Sequence, residues 1–353
     1  MSEAITYPGY GVSKPSVAIE ELNFTDGPVE SGSVAVQITH NGICHSDIHM
    51  LLDEWKGHGA AAIYPLCPGH EAIGRVTHVA PDVTHLKVGD RVGFGPQRNS
   101  CRQCDLCQIG DENICIKGTE GLYSPKTGGF GSHIRAPAHF AFKIPDEIPS
   151  EYAGPLMCAG VTVFSPLRKH PLAAGSKVAV VGIGGLGHLA VQYAAAMGYE
   201  VTAITRSLEK AEQIKAYGAK DILVSTDAEA MKASASKFHM ILNTVSATIP
   251  ADVYLNLLRP NGKLICMGVG EVSFSVNPFV LLTGNRQIIG SMIGGTEDMK
   301  AMLEFSAKHK IFPTIEVVEA PFGQNSADKV TAAVKKVLDN KARFRMVLDY
   351  KVE

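Results

Sequence analysis

The stretch Gly182-Ile183-Gly184-Gly185-Leu186-Gly187 follows directly on a short apolar run, Lys177-Val178-Ala179-Val180-Val181, and opens a helical segment, His188 to Met197, that stops at Gly198. A glycine pattern of this kind says little alone; strand before and helix after is the context that gives it meaning. There the first glycine makes a tight turn, the second lets the backbone approach a pyrophosphate, and the third lets helix and strand pack closely. Apolar strands then recur with helical segments between them, at Val201 to Thr205, Ile222 to Val224, Met240 to Leu242, Leu264 to Met267 and Ile288 to Ile289. With the first they make six, the number in a full doubly wound parallel sheet. The alternation predicts an α/β dinucleotide-binding domain, with Gly182, Gly184, Gly185, Leu186 and Gly187 at the cofactor phosphates.

At the end of the second strand a chain selecting NAD normally places Asp or Glu to hold the ribose 2′-hydroxyl. Here the residues are Thr205-Arg206-Ser207, with Lys210 close behind. A guanidinium and hydroxyls suit a 2′-phosphate, and the carboxylate that would repel it is missing. The alternative is that Arg206 only marks a solvated helix start. The residues favour NADP(H).

A length of 353 residues exceeds the roughly 250 to 300 at which single hydrophobic cores stop growing, so a second domain is expected. Upstream, Val34, Val36 and Ile38 alternate as in a half-buried strand, and Asn41-Gly42 reads as a turn. Ser46 or Asp47 reads as the cap of a short helix running through Met50-Leu51-Leu52 towards Trp55. Ala72 to Val79, Asp90 to Phe94 and His133 to Ala136 read as further strands, and Glu151 to Gly160 as helical. Beyond Gly290, two amphipathic helices, around Asp298 to Lys308 and Ala327 to Leu338, precede a last strand, Phe344 to Asp349. This tail lies outside the count of the parallel sheet and is expected to return to the strand-rich first domain.

With 33 basic and 35 acidic residues the formal charge is -2, which leaves no electrostatic footprint for nucleic acid or an anionic membrane. No apolar run approaches the roughly 20 residues of a membrane span, and the N-terminal residues lack the layout of a signal peptide. A cytoplasmic protein acting on a small molecule is expected. In a reducing compartment its eight cysteines are better read as metal ligands than as disulfides.

Four of them form Cys101-x-x-Cys104-x-x-Cys107, with Cys115 eight residues later. So many thiolates in one short loop suit the closed tetrahedral geometry of a structural zinc. An iron–sulfur cluster is the weaker option, because the last cysteine is not at the ferredoxin spacing and no proline follows it. Elsewhere, Cys44-His45-Ser46-Asp47-Ile48-His49 gathers a thiol, a hydroxyl and two imidazoles. Gly69-His70-Glu71 and the distant Cys158 are candidates to complete a Cys, His, Cys set with an open fourth position, as in catalytic zinc sites. Taken singly, Ser46 reads equally well as a helix cap, His49 as a solvated histidine and Cys158 as a small buried hydrophobe.

Together these residues make the chain resemble the medium-chain, zinc-dependent alcohol dehydrogenases, and most of all their cinnamyl-alcohol-dehydrogenase-type, NADP-dependent branch. The resemblance runs over essentially the whole chain. It rests on Gly42-Ile43-Cys44-His45-Ser46-Asp47, Pro68-Gly69-His70-Glu71, the four-cysteine lobe, Leu156-Met157-Cys158-Ala159-Gly160-Val161-Thr162 and Val181 to Gly187. It implies a GroES-like catalytic domain over 1–154 and 293–353, with a structural-zinc lobe, and a Rossmann domain over 155–292. It implies two zinc ions per chain, one on Cys44, His70 and Cys158 with Glu71 beside it, the other on Cys101, Cys104, Cys107 and Cys115. Asp47 matches the carboxylate that orients the ligating histidine. Ser46 and His49 match the family's proton relay, through the nicotinamide ribose to solvent; His45 matches a residue near the cofactor phosphates and Thr162 one near the nicotinamide.

Trp55, Met292 and Ile293 match positions that line the family's substrate pocket. Pro96-Gln97-Arg98-Asn99 is more polar than the run usual there, and reads either as surface loop or as part of the cleft. The implied activity is hydride transfer between NADP(H) and a primary alcohol or aldehyde, aromatic or aliphatic. Cys158 argues against the polyol and secondary-alcohol branch, where a carboxylate typically stands. The resemblance also implies a homodimer, formed by a strand within Val272 to Met292. Cys67 and Cys266 read as ordinary core thiols.

Overall fold

The structure, a computed structural model, describes residues 3–58, 60–123, 127–268 and 275–352. The chain divides into two compact units, Met1–Cys158 with Gly295–Glu353, and Ala159–Gly294. The first border falls just past Cys158, so this cysteine packs with the first unit, whereas a border at 154/155 assigns it to the second.

In the second unit six strands pair in the order Asp221–Val224, Glu200–Thr205, Lys177–Val181, Phe238–Asn243, Leu258–Cys266 and Gln287–Gly290, every pairing parallel. This is the doubly wound Rossmann order, in which the chain reverses direction between the first and fourth strands in sequence, opening a crevice at their carboxyl ends. Helices connecting parallel strands cover both faces of such a sheet, which is why Val178 to Val181 are all buried and the run does not alternate. Gln287–Gly290 forms one edge.

The first unit is the GroES-like part. Its main sheet runs Ile315–Glu319, Arg345–Asp349, Ser33–Ile43, Ala72–Val79, Arg91–Phe94 and Phe142–Lys143, with His133–Pro137 also pairing to Ser33–Ile43. The C-terminal strand therefore returns to this unit, lying antiparallel against Ser33–Ile43. That pairing overturns the turn expected at Asn41-Gly42: the two residues stay in the strand, opposite Leu348 and Val347. Gly42 has no side chain because Glu71 lies over it, its carboxylate filling the space a Cβ would need. The strand delivers the chain at Cys44 to a short helix, His45–Leu51. Its cap is Cys44, with Asp47 reaching back to the Cys44 N–H, so Ser46 sits inside the first turn and does not cap it. The helix ends at Leu51, short of Trp55. Ile48, Met50 and Leu51 are buried in a core shared with Val330 and Val334 of helix Ala327–Leu338. Burial of each such side chain contributes about 1.5–3 kcal/mol.

The cysteine lobe lies between two short paired strands, Gln97–Ser100 and Thr119–Gly121. Arg98, at 7% exposure, is buried here beside Glu120 and donates to the carbonyl of Arg135, so this residue of the polar run 96–99 is not exposed loop. From within the lobe the buried Glu112 accepts the main-chain N–H of Thr296 at 3.0 Å, its hydroxyl at 2.9 Å, and Nε2 of His139 at 2.8 Å. Burial pushes its carboxyl up, but the bonds from His139 and Thr296 outweigh this and hold it at about 2. The lobe is thereby fastened to the first turn of helix Thr296–His309, where a carboxylate also complements the helix dipole.

Candidate active site

Three elements of the first unit converge. Cys44 stands at the end of strand Ser33–Ile43, His70 and Glu71 immediately precede strand Ala72–Val79, and Cys158 lies in a π-helical turn, Leu156–Gly160. Such turns are frequent at functional sites. One donor atom from each of Cys44, His70, Glu71 and Cys158 lies within 4.8 Å of the others. His70 Nδ1 donates to Asp47 Oδ1 at 2.8 Å, which leaves Nε2 as the electron-pair donor, and that atom is buried with no hydrogen-bond partner. A lone pair left orphaned beside two thiols, with room for a cation between them, fits a zinc ion.

Asp47 organises the cluster. Besides His70 it accepts the Gly69 N–H at 3.0 Å and, through Oδ2, the Cys44 N–H at 2.8 Å, so one fully buried carboxylate fixes both ligand-bearing segments. Burial alone would lower the pKa of His70; Asp47 and Cys44 overcome that and raise it, so the position at Nε2 favours a positive charge, which a proton supplies in the absence of a metal cation. The hydrogen bond between the thiols draws Cys44 well below the ordinary thiol value and, with burial, pushes Cys158 well above it. Glu71 forms a buried ion pair with Arg345, yet burial still raises its carboxyl to about 8, and its second oxygen has no partner. Replacing Asp47 by Asn is expected to weaken metal retention about 10- to 100-fold against a chelator, as loss of a carboxylate behind a ligating histidine typically does; unchanged zinc dissociation would remove the residue from this role.

On the helix after Cys44, the Ser46 hydroxyl lies 3.7 Å from the Cys44 sulfur. His49 is hydrogen-bonded through Nδ1 to Glu54, and its ring stacks on Trp55 at 5.0 Å and meets that of His45 at 5.1 Å. Trp55 is thus brought against His49 in the first unit, while Met292 and Ile293 belong to the second, where Met292 is exposed and Ile293 has a φ of 51°. A β-branched residue seldom adopts that left-handed conformation.

In the lobe, one donor atom from each of Cys101, Cys104, Cys107 and Cys115 lies within 4.8 Å of the others, and Sγ–Sγ separations are 3.8 Å for Cys101 with Cys107 and 3.9 Å for Cys104 with Cys115. A tetrahedron with metal–sulfur bonds of about 2.3 Å has edges of about 3.8 Å. The sulfurs fit a single tetrahedral ion better than a cluster, which holds its thiolates farther apart.

In the second unit the glycine loop leaves strand Lys177–Val181 with Gly182 at φ 84°, a conformation that favours glycine. Gly187 packs too closely on the Gly182 carbonyl to carry a Cβ, whereas at Gly184 a Cβ would meet nothing within 4 Å. The middle glycine is therefore open on the side from which a pyrophosphate approaches. Arg206 and Ser207 are exposed beyond strand Glu200–Thr205, and Lys210 immediately precedes helix Ala211–Ala216. Thr162 is buried in helix Val161–Lys169.

Three neighbours of these sites carried no signal in the sequence. Arg345 pairs with Glu71 from the far end of the chain. The Tyr123 ring lies 5.3 Å from that of His70, and the Thr244 hydroxyl lies 2.9 Å and 2.7 Å from the carbonyls of Val181 and Gly182. No periodicity marks residues that act only through a long-range contact.

A Rossmann unit, a GroES-like unit with an orphaned Cys, His, Cys set and a four-sulfur tetrahedron define a zinc-dependent dinucleotide oxidoreductase. Residues 30–146 match the alcohol dehydrogenase GroES-like domain, and residues 185–308 the zinc-binding dehydrogenase family. The chain is 40% identical over 345 residues to the probable formaldehyde dehydrogenase AdhA of Bacillus subtilis, covering 96% of each chain. It is 43% identical over 324 residues to the probable cinnamyl alcohol dehydrogenase 3 of Oryza sativa, covering 90% of this chain and 86% of that one. The structure of a cinnamyl alcohol dehydrogenase from Helicobacter pylori complexed with NADP(H) superposes with a TM-score of 0.88 at 32% identity, over 99% of both chains. The chain belongs to the medium-chain, zinc-dependent alcohol dehydrogenases, in their cinnamyl-alcohol-dehydrogenase-type branch.

Proposed function

We propose that the chain interconverts primary alcohols and aldehydes with NADP(H), with Cys44, His70 and Cys158 holding a catalytic zinc and the four lobe cysteines a structural one. The observation that carries this is the buried His70 Nε2, an electron pair without a partner among two thiols and a carboxylate. When bound there, zinc supplies Lewis acidity, which makes an alcohol oxygen easier to deprotonate and a carbonyl carbon easier to reduce. Asp47 keeps the His70 tautomer that presents Nε2. Ser46, beside the Cys44 sulfur, would take the alcohol proton, and His49, whose ring is held by Trp55 and Glu54 at the partly exposed end of the helix, would release it to solvent. Glu71, balanced by Arg345, would offer such a metal a further oxygen donor. As the family resemblance implies, His45 would serve the cofactor phosphates and Thr162 the nicotinamide.

Arg206, Thr205, Ser207 and Lys210 hold the 2′-phosphate. A Thr205→Asp, Arg206→Ala double variant is expected to shift preference from NADP(H) to NAD(H) by about 100-fold or more, since a charge-assisted bond is lost and a repelling carboxylate gained. A ratio of kcat/KM values that does not move would place the phosphate elsewhere.

Relatives named for formaldehyde and for cinnamyl alcohol share this architecture, which supports a primary-alcohol and aldehyde class without fixing one member. Trp55, whose ring stacks on that of His49, is a substrate contact on the first unit. A panel of aliphatic and aromatic aldehydes with NADPH and NADH, followed by nicotinamide absorbance, tests the reading; turnover confined to secondary alcohols or polyols would refute it.

The chain acts as a homodimer. Gln287–Gly290 is an edge strand, and Phe279 and Leu282 of the preceding helix Pro278–Leu282 are exposed beside it in sequence. The start of the expected pairing segment, 272–274, lies outside the described residues. Light scattering should give a mass of two chains, and a monomer at micromolar concentration would exclude the dimer. The free state of all eight cysteines suits a reducing compartment such as the cytoplasm.

A further inference from the structure

We propose that His188 is a positioning residue for the dinucleotide, aiming the main-chain N–H of the glycine loop at the pyrophosphate. It follows the last glycine of the loop and is fully buried at 0% exposure, with no part in the proton path proposed above. Its Nδ1 lies 2.9 Å from the Gly184 carbonyl oxygen. A carbonyl only accepts, so Nδ1 carries the proton and donates. The same oxygen also accepts the main-chain N–H of His188 at 3.2 Å, so two donors from one residue clamp it. Because the peptide is planar and trans, fixing the Gly184 C=O towards the helix turns the Gly185 N–H the opposite way. That direction is away from the start of helix Gly187–Ala196, and Gly184 itself is exposed, with nothing within 4 Å of where its Cβ would stand. The Tyr217 ring, 5.6 Å from the imidazole, forms one wall of its pocket. The loop is held at its other end by the Thr244 hydroxyl on the Gly182 carbonyl. A glycine loop is otherwise free to rotate its peptides, and an N–H that must be aimed anew at each binding event costs affinity.

The inference rests on the reading that this loop binds a dinucleotide pyrophosphate. The test compares His188→Gln, which keeps an N–H donor, with His188→Met, similar in length and without one, in the zinc-loaded full chain. NADPH binding is read from nicotinamide fluorescence. Binding of adenosine 2′-monophosphate, which has the 2′-phosphate and no pyrophosphate, is read by calorimetry. The Met variant is expected to bind NADPH about three- to tenfold more weakly than the parent and the Gln variant, the worth of one net hydrogen bond. Its KM for NADPH should rise with kcat unchanged, while affinity for adenosine 2′-monophosphate and the thermal midpoint without cofactor stay at the parent values. Equal NADPH affinity in the Gln and Met variants overturns the proposal, and so does a matching loss of adenosine 2′-monophosphate binding, which would mean general distortion. If the Met variant does not fold, His188→Phe, which keeps a ring against Tyr217, takes its place with the same outcomes. A parent chain that binds NADH in preference to NADPH refutes the NADP reading alone; the comparison then runs with NADH and adenosine 5′-monophosphate. A parent chain that binds neither dinucleotide refutes both.

Discussion

Replacing Cys158 by Ala should lower turnover by on the order of a thousandfold or more, while NADPH still binds and the fold stays intact. Several kcal/mol of charge stabilisation at the reacting oxygen depend on the bound metal, and each 1.36 kcal/mol is about tenfold in rate. The four donors of the cluster are supplied by residues 44, 70, 71 and 158, and removing one thiol leaves Cys44 to hold the cation with weaker help. Metal content is the discriminating readout. It should fall from two ions per chain towards one, because the two groups of ligands are separate. A Cys158→Ala chain that keeps both ions and most of its activity would show that Cys158 is a packing residue.

The second large effect is on stability. A Cys104→Ser variant should lose the lobe metal and, with it, much of the order of the first unit. Structural zinc sites contribute about 10 to 16 kcal/mol of apparent binding free energy, comparable to the whole stability of a typical domain. The lobe has few apolar contacts of its own; its buried cluster consists of the cysteines with Leu106 packed against them. Glu112 carries the consequence outward, because its carboxylate fastens the lobe to helix Thr296–His309. The thermal midpoint of the variant is expected to fall well below that of the parent, and amide exchange should rise both in the lobe and at the start of that helix. A midpoint within a degree or two of the parent would exclude a stabilising ion there.

Much of this arrangement was legible because its signals are local. The glycine loop and the four lobe cysteines each fit within a few turns of chain, and their spacing carries the chemistry. Strands Ala72–Val79 and Lys177–Val181 and helix Ala327–Leu338 have the bounds that periodicity predicts, since each is bracketed by turn residues. Asn41-Gly42 misled for the opposite reason. Its composition favours a turn, but pairing with the C-terminal strand and the need to admit Glu71 decide its conformation. Arg98 misled likewise, because its polarity says nothing of the buried carbonyl of Arg135 and the carboxylate of Glu120 that receive it. Asp47 was placed by resemblance as the partner of His70; that it also holds the Cys44 and Gly69 N–H groups emerges only when the two segments lie side by side.

The antiparallel pairing of Arg345–Asp349 with Ser33–Ile43 makes the site depend on a contact between distant parts of the sequence. Glu71 has its counter-ion, Arg345, 274 residues further along the chain. A chain in which that strand has not docked holds a carboxylate without its guanidinium and a long strand with one edge bare. Such long-range pairings form slowly, so a variant that frays Arg345–Asp349 is expected to expose that edge and to aggregate before it unfolds elsewhere.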